Sequence, residues 1–162
     1  MAETISTDLQ VLVDKDAIKE LVYEWDYLGD DGKSAEVIDR FCTDDVVFDA
    51  GAFGTAEGKE EFHEVAEEIF AEELLFTRHL RHNPIVDVDG DEATGKWYAE
   101  IPSITVDGEA VWVQGTYDLD FRRVDGEWKI SRYTFEATYA TPYDAGWADQ
   151  PFLEGMPGDL EW

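Results

Sequence analysis

Four stretches in the second half of the chain alternate between apolar and polar residues, and short turns containing glycine separate them. The predicted strands are Phe76–Val88, Ala93–Val106, Glu109–Val124 and Glu127–Tyr139. Asp107-Gly108 and Asp125-Gly126 join the last three stretches, and an Asp-Gly pair between such runs is a strong signal for a β-hairpin. The spacing therefore predicts a long antiparallel meander whose strands curl.

The first half of the chain has helical spacing instead. Asp14 is a good N-cap, so a first helix is predicted to start near it. The apolar residues that follow have the spacing of one buried stripe; they are Ile18, Leu21, Val22, Trp25 and Leu28. Gly29 to Gly32, with the sequence GDDG, ends this helix. Asp30 and Asp31 therefore follow directly on the predicted helix.

Two further helices and one short strand complete the pattern. Ser34 can cap a second helix, with Val37, Ile38 and Phe41 facing inward, and a third helix is predicted over 57–75. A short strand is predicted over 43–50, before a glycine-rich loop. Three helices followed by a meander predict an α+β fold in which the helices pack on a strongly curved antiparallel sheet and enclose a pocket.

The length of 162 residues suits one domain. We expect a flexible N-terminal arm over 1–12, a single domain over 13–142 and an irregular C-terminal tail over 143–162. No apolar run reaches the ~20 residues of a membrane span, and the N-terminus has no signal-peptide pattern. The single cysteine, Cys42, excludes an internal disulfide. These features predict a soluble cytoplasmic protein.

The chain is strongly acidic, with 39 Asp and Glu against 12 Lys and Arg and a formal net charge of −27. Such a surface repels nucleic acid and anionic membranes, so neither is expected as a partner. A concentrated acidic cluster would indicate a site for a basic partner, but the acids are spread along the whole chain. That distribution is similar to the cytoplasmic proteins of salt-loving archaea, in which salt screens the self-repulsion.

Two of the three histidines lie in one basic segment, TRHLRHN. Strand alternation puts Thr77, His79 and Arg81 on one face and the neighbouring residues, His82 among them, on the other. A histidine can act as an acid or base near neutral pH when a carboxylate orients it. His79 is therefore a candidate catalytic residue. A half-buried structural histidine whose ring nitrogens have hydrogen-bond partners fits the same pattern.

Several motifs resemble the SnoaL-like members of the NTF2-like superfamily. They are AIKELVYEW followed by GDDG, TDDVVFD, TRH followed by NPIVDVDGDEATGKWY, and GTYDLDFRRVDGEWKISR. The resemblance covers about residues 14–145 and implies an NTF2-like cone. Within that group the chain looks most like the enzyme branch containing scytalone dehydratase, the bile-acid 7α-dehydratases and hexachlorocyclohexane dehydrochlorinase.

The resemblance implies a catalytic pair. The aspartate that this branch carries at the end of its first helix falls on Asp30, and its sheet histidine falls on His79. His79 would then take a proton next to a leaving group while Asp30 orients the imidazole. The chain departs from the branch at Trp25, where several dehydratases have a tyrosine, at Ser103, in place of a second histidine, and at Ile101, where the bile-acid enzymes have an aspartate.

Further residues are expected to line the substrate pocket. They are Trp25, Tyr27, Asp49, Trp97, Ser103 and Arg132. Aromatic walls suit a flat, apolar ligand, including a cyclic one. Asp49 fits a strand-end turn equally well, and Arg132 fits pairing with surface carboxylates. No phosphate loop, serine elbow or metal-ligand spacing is found, so no cofactor or metal is predicted.

Three functions stay open at this point. The first is a cofactor-independent lyase of the dehydratase or dehydrohalogenase type, or an isomerase, acting on a small hydrophobic molecule. The second is a non-catalytic protein that holds such a molecule in the same cavity. The third is a structural or interaction protein. The family resemblance also implies a homo-oligomer, either a dimer or a trimer.

Overall fold

The computed structural model describes residues 2–69 and 74–154, and within them seven strands form a single sheet. The helices are α1 (Ala2–Asp30), α2 (Ser34–Phe41) and α3 (Lys59–Glu67), and a 3-10 turn covers Gly51–Phe53. The strands are β1 (Cys42–Asp49), β2 (Thr55–Glu57), β3 (Leu74–Thr77), β4 (Leu80–Asp89), β5 (Glu92–Thr105), β6 (Ala110–Val124) and β7 (Glu127–Pro142). The predicted α+β plan, helices followed by a long meander, is confirmed.

The meander hairpins form where the Asp-Gly pairs predict them. Asp125 and Gly126 both have positive φ, 52° and 87°, which is the backbone of a type I′ turn. The β5–β6 and β6–β7 pairs are antiparallel along most of their length. Strand order is β2-β1-β7-β6-β5, and both β3 and β4 pair with β5.

The sheet is mixed, which corrects the prediction of a purely antiparallel sheet. β1 runs parallel to β7, with Phe48 opposite Tyr133. A short apolar strand carries no sequence signal for its neighbour or its direction. Here α2 lies between α1 and β1 in the chain, and β1 enters the sheet between β2 and β7, antiparallel to the first and parallel to the second.

Bulges between β6 and β7 help to curl the sheet around the helices. The register shifts at Gln114/Gly115 and again at Asp120/Phe121, and a bulge increases local twist and bends its strand. Gly115 is required at the first shift, because a Cβ atom there would collide with the Glu136 carbonyl oxygen and the Phe135 ring.

The helices cover the concave face with the apolar stripes that the sequence predicts. Ile18, Leu21 and Val22 of α1 are buried, and so are Val37, Ile38 and Phe41 of α2. They form one core cluster with inward residues of β5, β6 and β7. Of the helices among the described residues, none has both the length and the apolar character needed to cross a membrane.

Three predicted boundaries were wrong. α1 begins at Ala2 rather than near Asp14, so residues 2–12 of the expected N-terminal arm are helical. The third helix is shorter than predicted, since residue 57 belongs to β2 and residues 74–75 to β3. The predicted strand Phe76–Val88 is interrupted at residues 78–79, between β3 and β4.

Asp14 resembled an N-cap because it is a polar residue ahead of an apolar stripe. In the structure it lies within α1, 5% exposed. Its Oδ1 accepts hydrogen bonds from Trp128 Nε1 at 3.3 Å and from Gln10 at 3.2 Å, and it pairs with Arg123 Nη2 at 2.9 Å. This carboxylate therefore ties the middle of α1 to β6 and β7.

We predict that Asp14→Asn destabilises the fold mainly at neutral pH. Burial opposes ionisation of Asp14, but the bonds from Arg123 and Trp128 outweigh it and lower the pKa of this carboxyl. The stabilisation is therefore present above the unfolded pKa and is lost as the pH falls through the lower folded pKa. Losing a hydrogen bond to a charged group should cost about 1.5–3 kcal/mol.

Urea unfolding from neutral pH down through the aspartate range measures this effect. Asp14→Asn should show a smaller acid-dependent loss of stability than the parent protein. Asp16→Asn, an exposed site two residues along the same helix, is the control and should follow the parent curve. Equal pH dependence in the parent and in Asp14→Asn would contradict the assignment.

We also predict that Gly115→Ala lowers the free energy of unfolding by about 1–3 kcal/mol, the usual cost of overpacking. Gly29→Ala is the matched control, because a Cβ atom at that helical glycine meets nothing within 4 Å. It should be neutral or stabilising, since alanine favours a helix over glycine. Urea unfolding compares the two variants, and a neutral Gly115→Ala would show that the bulge has room for a side chain.

Candidate active site

A cavity of about 370 Å³ lies between the helices and the concave face of the sheet. Most of its wall is apolar and aromatic. The aromatic residues that line it include Trp25, Phe48, Phe53, Phe62, Tyr133 and Phe135. Polar side chains also reach the wall, among them Asp26, Thr77, His79 and Ser103. An apolar cavity with a few convergent polar groups is the usual form of a small-molecule site.

Asp30 and His79 are joined by two hydrogen bonds at this cavity. The His79 Nδ1 to Asp30 Oδ1 distance is 2.6 Å, and the His79 backbone N–H donates to Asp30 Oδ2 at 2.9 Å. The Asp30 side chain is only 2% exposed and that of His79 is 14% exposed. An ionised carboxylate can only accept, so His79 Nδ1 carries the proton in this contact.

Local backbone structure makes this arrangement possible. Asp30 is the last residue of α1, so its carboxylate projects from a helix end. His79 lies in the interruption between β3 and β4, where its backbone N–H is available to Asp30 instead of a strand ladder. Arg78 Nη1 lies 3.6 Å from Asp30 Oδ2 on the more exposed side. The carboxylate is thus surrounded by positively charged or donating groups.

A second carboxylate–cation pair lies beside the first. Arg81 Nε and Nη2 both lie 2.9 Å from Asp26 Oδ1, and Arg81 Nη2 also donates to the Tyr133 hydroxyl at 2.7 Å. The Arg81 and Asp26 side chains are 1% and 8% exposed. Burial raises the pKa of Asp26, while the opposite charge of Arg81 counteracts that rise.

The spacing of the two pairs follows from the geometry of a helix and a strand. Asp26 and Asp30 are four residues apart on α1, which is about 6 Å along the axis. His79 and Arg81 are two residues apart on one face, about 6.6 Å in an extended chain. Two parallel contacts can therefore form between α1 and the segment that enters β4.

Thr77 and Ser103 form a smaller polar contact on the same wall. Their hydroxyl oxygens lie 3.3 Å apart, both side chains are buried, and Ser103 Oγ also approaches the Ile101 carbonyl at 3.4 Å. Across residues 2–69 and 74–154, no group of three or more His, Cys, Asp and Glu side chains is arranged to hold a metal ion.

Of the residues predicted to line the pocket, Trp25 and Ser103 do so. Trp25 packs between Phe62 and Tyr133, with ring centroids 6.1 and 5.2 Å away. The predicted inward face of the histidine segment is also confirmed. Thr77 and Arg81 are buried, while Arg78 and His82 are exposed.

Four residues predicted for the pocket lie outside the cavity. Tyr27 is 74% exposed, because helical rotation turns it away from the buried stripe. Asp49 is the exposed last residue of β1, and its Oδ1 accepts a hydrogen bond from the Gly51 N–H at 3.1 Å. Trp97 is fully buried against Phe121 in another part of the core.

Arg132 lies on the outer face, where it pairs with Asp120 at 3.5 Å. Strand alternation gives the inward position to its neighbour Tyr133.

Three features of this site were not predicted from the sequence: Asp26, the pairing of Arg81 and the cavity position of Tyr133. A signal was present, because Asp26 precedes Asp30 by one helical turn and Arg81 follows His79 by one strand repeat. The Asp26–Arg81 pair therefore repeats the Asp30–His79 pair, displaced by four residues along the helix and by two residues along the strand. The sequence alone does not single out Asp26, because an aspartate within a helix of so acidic a chain is usually solvated.

The C-terminal segment reaches the same cavity. Ala140 N–H donates to the Pro151 carbonyl at 2.9 Å, and Thr141 Oγ1 donates to the Gln150 carbonyl at 2.6 Å. These bonds hold the segment along the end of β7, and Leu153 and Glu154 then contribute to the cavity wall. This part of the tail thus packs on the domain.

Comparison with known families identifies the class of protein. A family model described as a SnoaL-like domain matches residues 10–134, most of the chain, and the protein therefore belongs to this family. No curated protein matches the sequence. The family assignment agrees with the resemblance found in the sequence motifs.

Solved structures with similar folds include three informative cases. A proposed aromatic ring hydroxylase from Novosphingobium aromaticivorans is 29% identical, with a TM-score of 0.74 over 81% of this chain and 94% of its own. A hexachlorocyclohexane dehydrochlorinase, LinA type 2, is 23% identical, with a TM-score of 0.77 over 83% and 92%. A proposed scytalone dehydratase from N. aromaticivorans is 22% identical, with a TM-score of 0.76 over 94% and 99%. The NTF2-like cone is confirmed.

We predict that the Asp26–Arg81 pair is costly to break but tolerable to replace as a whole. Asp26→Leu or Arg81→Met alone should each lose about 3–5 kcal/mol of stability, because each leaves one buried charge unpaired. The double variant should lie close to the parent, since apolar replacement of a whole buried pair is often neutral. Urea unfolding of the four proteins tests this. Additive losses would contradict a direct interaction.

Proposed function

We propose that the protein is a cofactor-independent lyase, of the dehydratase or dehydrohalogenase type, or an isomerase, acting on a small hydrophobic molecule. The observation that carries this proposal is the 2.6 Å contact between Asp30 and His79 at the wall of an apolar cavity. A carboxylate that orients a histidine is a common arrangement for a general base.

In the proposed reaction, His79 Nε2 takes a proton from a carbon next to the leaving group. Nδ1–H donates to Asp30, so the lone pair of the neutral imidazole lies on Nε2. The C–H electron pair becomes a carbon–carbon double bond, and the leaving group departs with its own bonding pair. Asp30 stabilises the imidazolium that forms. Where the leaving group is hydroxide, the imidazolium can protonate it, and it then departs as water.

The cavity lining limits the substrate class. Its aromatic walls favour flat or cyclic apolar molecules, and a volume of about 370 Å³ admits a small compound. Two structural neighbours support the reaction class, since one is named a hexachlorocyclohexane dehydrochlorinase and another a proposed scytalone dehydratase. Dehydrochlorination and dehydration both remove a small molecule from the substrate.

A binding function without chemistry is the second candidate. Trp25 stands where several dehydratases have a tyrosine, and its indole packs among Phe41, Phe62 and Tyr133. An indole N–H can donate but is no practical acid. A protein that only holds a ligand would use the same apolar walls and would leave that ligand chemically unchanged.

We predict that His79→Ala lowers kcat by about 10²–10⁴-fold, the usual contribution of a general base, on a substrate that the parent protein converts. Hexachlorocyclohexane, followed by chloride release, and scytalone, followed by loss of water, are the first probes. His82→Ala is the matched control, because this neighbouring histidine is exposed on the other face.

Undiminished turnover in His79→Ala would exclude the proposed base. Tight binding of both probes with no product would favour the binding function. Circular dichroism and urea unfolding of His79→Ala establish that any loss of turnover occurs in a folded protein.

A further inference from the structure

The hydroxyl of Tyr133 is held by a cation that can only donate hydrogen bonds. Arg81 Nη2 lies 2.7 Å from Tyr133 Oη, and a guanidinium has five donors and no acceptor. Tyr133 must therefore accept in this contact, which leaves its own proton for another group. Tyr133 lines the cavity, and burial raises its pKa, so the hydroxyl keeps that proton at neutral pH.

The neighbouring phenol, Tyr117, packs edge to face against Tyr133, with ring centroids 5.3 Å apart. Burial raises the pKa of both phenols, so both hydroxyls keep their protons at neutral pH. The contact with Arg81 uses the Tyr133 oxygen as an acceptor, so Tyr133 still has its own proton to give.

The buried pair behind Tyr133 is a poor device for stability alone. Removing two charges from water costs several kcal/mol per ion, and apolar side chains often do as well in their place. Within the described part of the chain, Arg81 Nη1 is also buried without a hydrogen-bond partner. The guanidinium additionally lies 3.8 Å from the centre of the Tyr117 ring. Two of its contacts therefore fix phenols that line the cavity.

The charges around the cavity favour a neutral ligand. Asp26 and Asp30 supply two buried carboxylates, and the charge of Arg81 is compensated by Asp26. Arg78, 3.6 Å from Asp30, compensates that carboxylate in turn, so with His79 neutral these groups carry no net charge. An ionic ligand would find no opposite net charge here to offset the cost of its desolvation.

We propose that Tyr133 is a further catalytic residue that donates a hydrogen bond to a carbonyl oxygen of a neutral ketone, and that Arg81 and Asp26 are its positioning residues. This inference rests on the proposed function, because Tyr133 would stabilise the negative charge that develops on the substrate when His79 removes a proton. It narrows the substrate class to ketones with a hydrogen on the carbon beside the carbonyl.

The electron count is balanced without a cofactor. His79 takes the proton, the C–H pair forms the carbon–carbon double bond of an enolate, and the carbonyl π pair moves onto oxygen. Tyr133 stabilises that oxygen with its hydrogen bond, which strengthens as negative charge develops. The enolate then expels a β-substituent or takes a proton back at another carbon.

The test uses α-tetralone, a bicyclic ketone with acidic hydrogens and no leaving group, bound to the full-length protein. Infrared difference spectroscopy of the isotope-labelled carbonyl should show a stretch lowered by the hydrogen bond. In Tyr133→Phe the stretch should return to higher wavenumber, and the Kd should rise roughly two- to tenfold, as for one lost hydrogen bond. Tyr117→Phe should retain the lowered stretch. Tyr98→Phe, at an exposed site, is the control for the substitution itself.

Deuterium exchange beside the carbonyl separates this inference from the proposed function. His79→Ala should abolish exchange in heavy water and leave the carbonyl stretch lowered. A lowered stretch with no exchange in the parent protein would support the donor and reject the base. Failure of α-tetralone to bind, or an identical stretch in the parent and Tyr133→Phe, would overturn the inference, as would loss of the shift in Tyr117→Phe alone.

The positioning role has its own spectroscopic readout. The Asp26→Leu and Arg81→Met double variant retains Tyr133 but removes the charged donor from its oxygen. A hydroxyl that accepts a charge-assisted bond is a stronger donor, so the carbonyl stretch should move to higher wavenumber in the folded double variant. An unchanged stretch would restrict Asp26 and Arg81 to a structural role.

Discussion

The register between α1 and the sheet depends on three buried carboxylates. Asp14, Asp26 and Asp30 lie on one ridge of the helix, four or a multiple of four residues apart, with Ile18 and Val22 between them. Each carboxylate is matched to a donor of the sheet or of the segment that enters it: Arg123, Arg81 and His79. A shift of α1 by one residue would leave buried charges unpaired, at a cost of several kcal/mol each. Apolar packing alone would permit such sliding more easily.

The same contacts make the cavity chemically useful. An apolar cavity strengthens electrostatic interactions because water does not screen them. The hydrogen bonds from His79 to Asp30 and from Arg81 to Tyr133 are therefore strong. The bulges, together with Gly115, curl the sheet so that His79 and Tyr133 both line the same cavity. The polar groups needed for proton transfer are thus supplied by residues that also hold the helix in position.

Much of this architecture can be predicted from the sequence. Alternating residues and Asp-Gly turns predict the long strands, and helical spacing predicts the buried faces of α1 and α2. Asp30 and His79 could be named because their family motifs survive here. Pairing could not be predicted where the signal is not local: the parallel neighbour of β1, the sheet partners of Asp14, and the Asp26–Arg81 contact. The core position of Trp97 and the cavity position of Tyr133 could not be predicted for a similar reason. Alternation predicts on which face of a strand a residue lies, but not where along the cone it lies.

The part of the cavity wall that the C-terminal segment forms is built differently. Leu153 and Glu154 belong to a segment held by a few backbone bonds near the end of β7, and the short α3 is not tied down by a buried carboxylate in the way that α1 is. Local opening requires less free energy where few buried contacts must be broken. Displacement of α1, in contrast, would leave its buried carboxylates unpaired. The segment that holds Leu153 is therefore the part of the cavity wall that a ligand can displace at the lower cost.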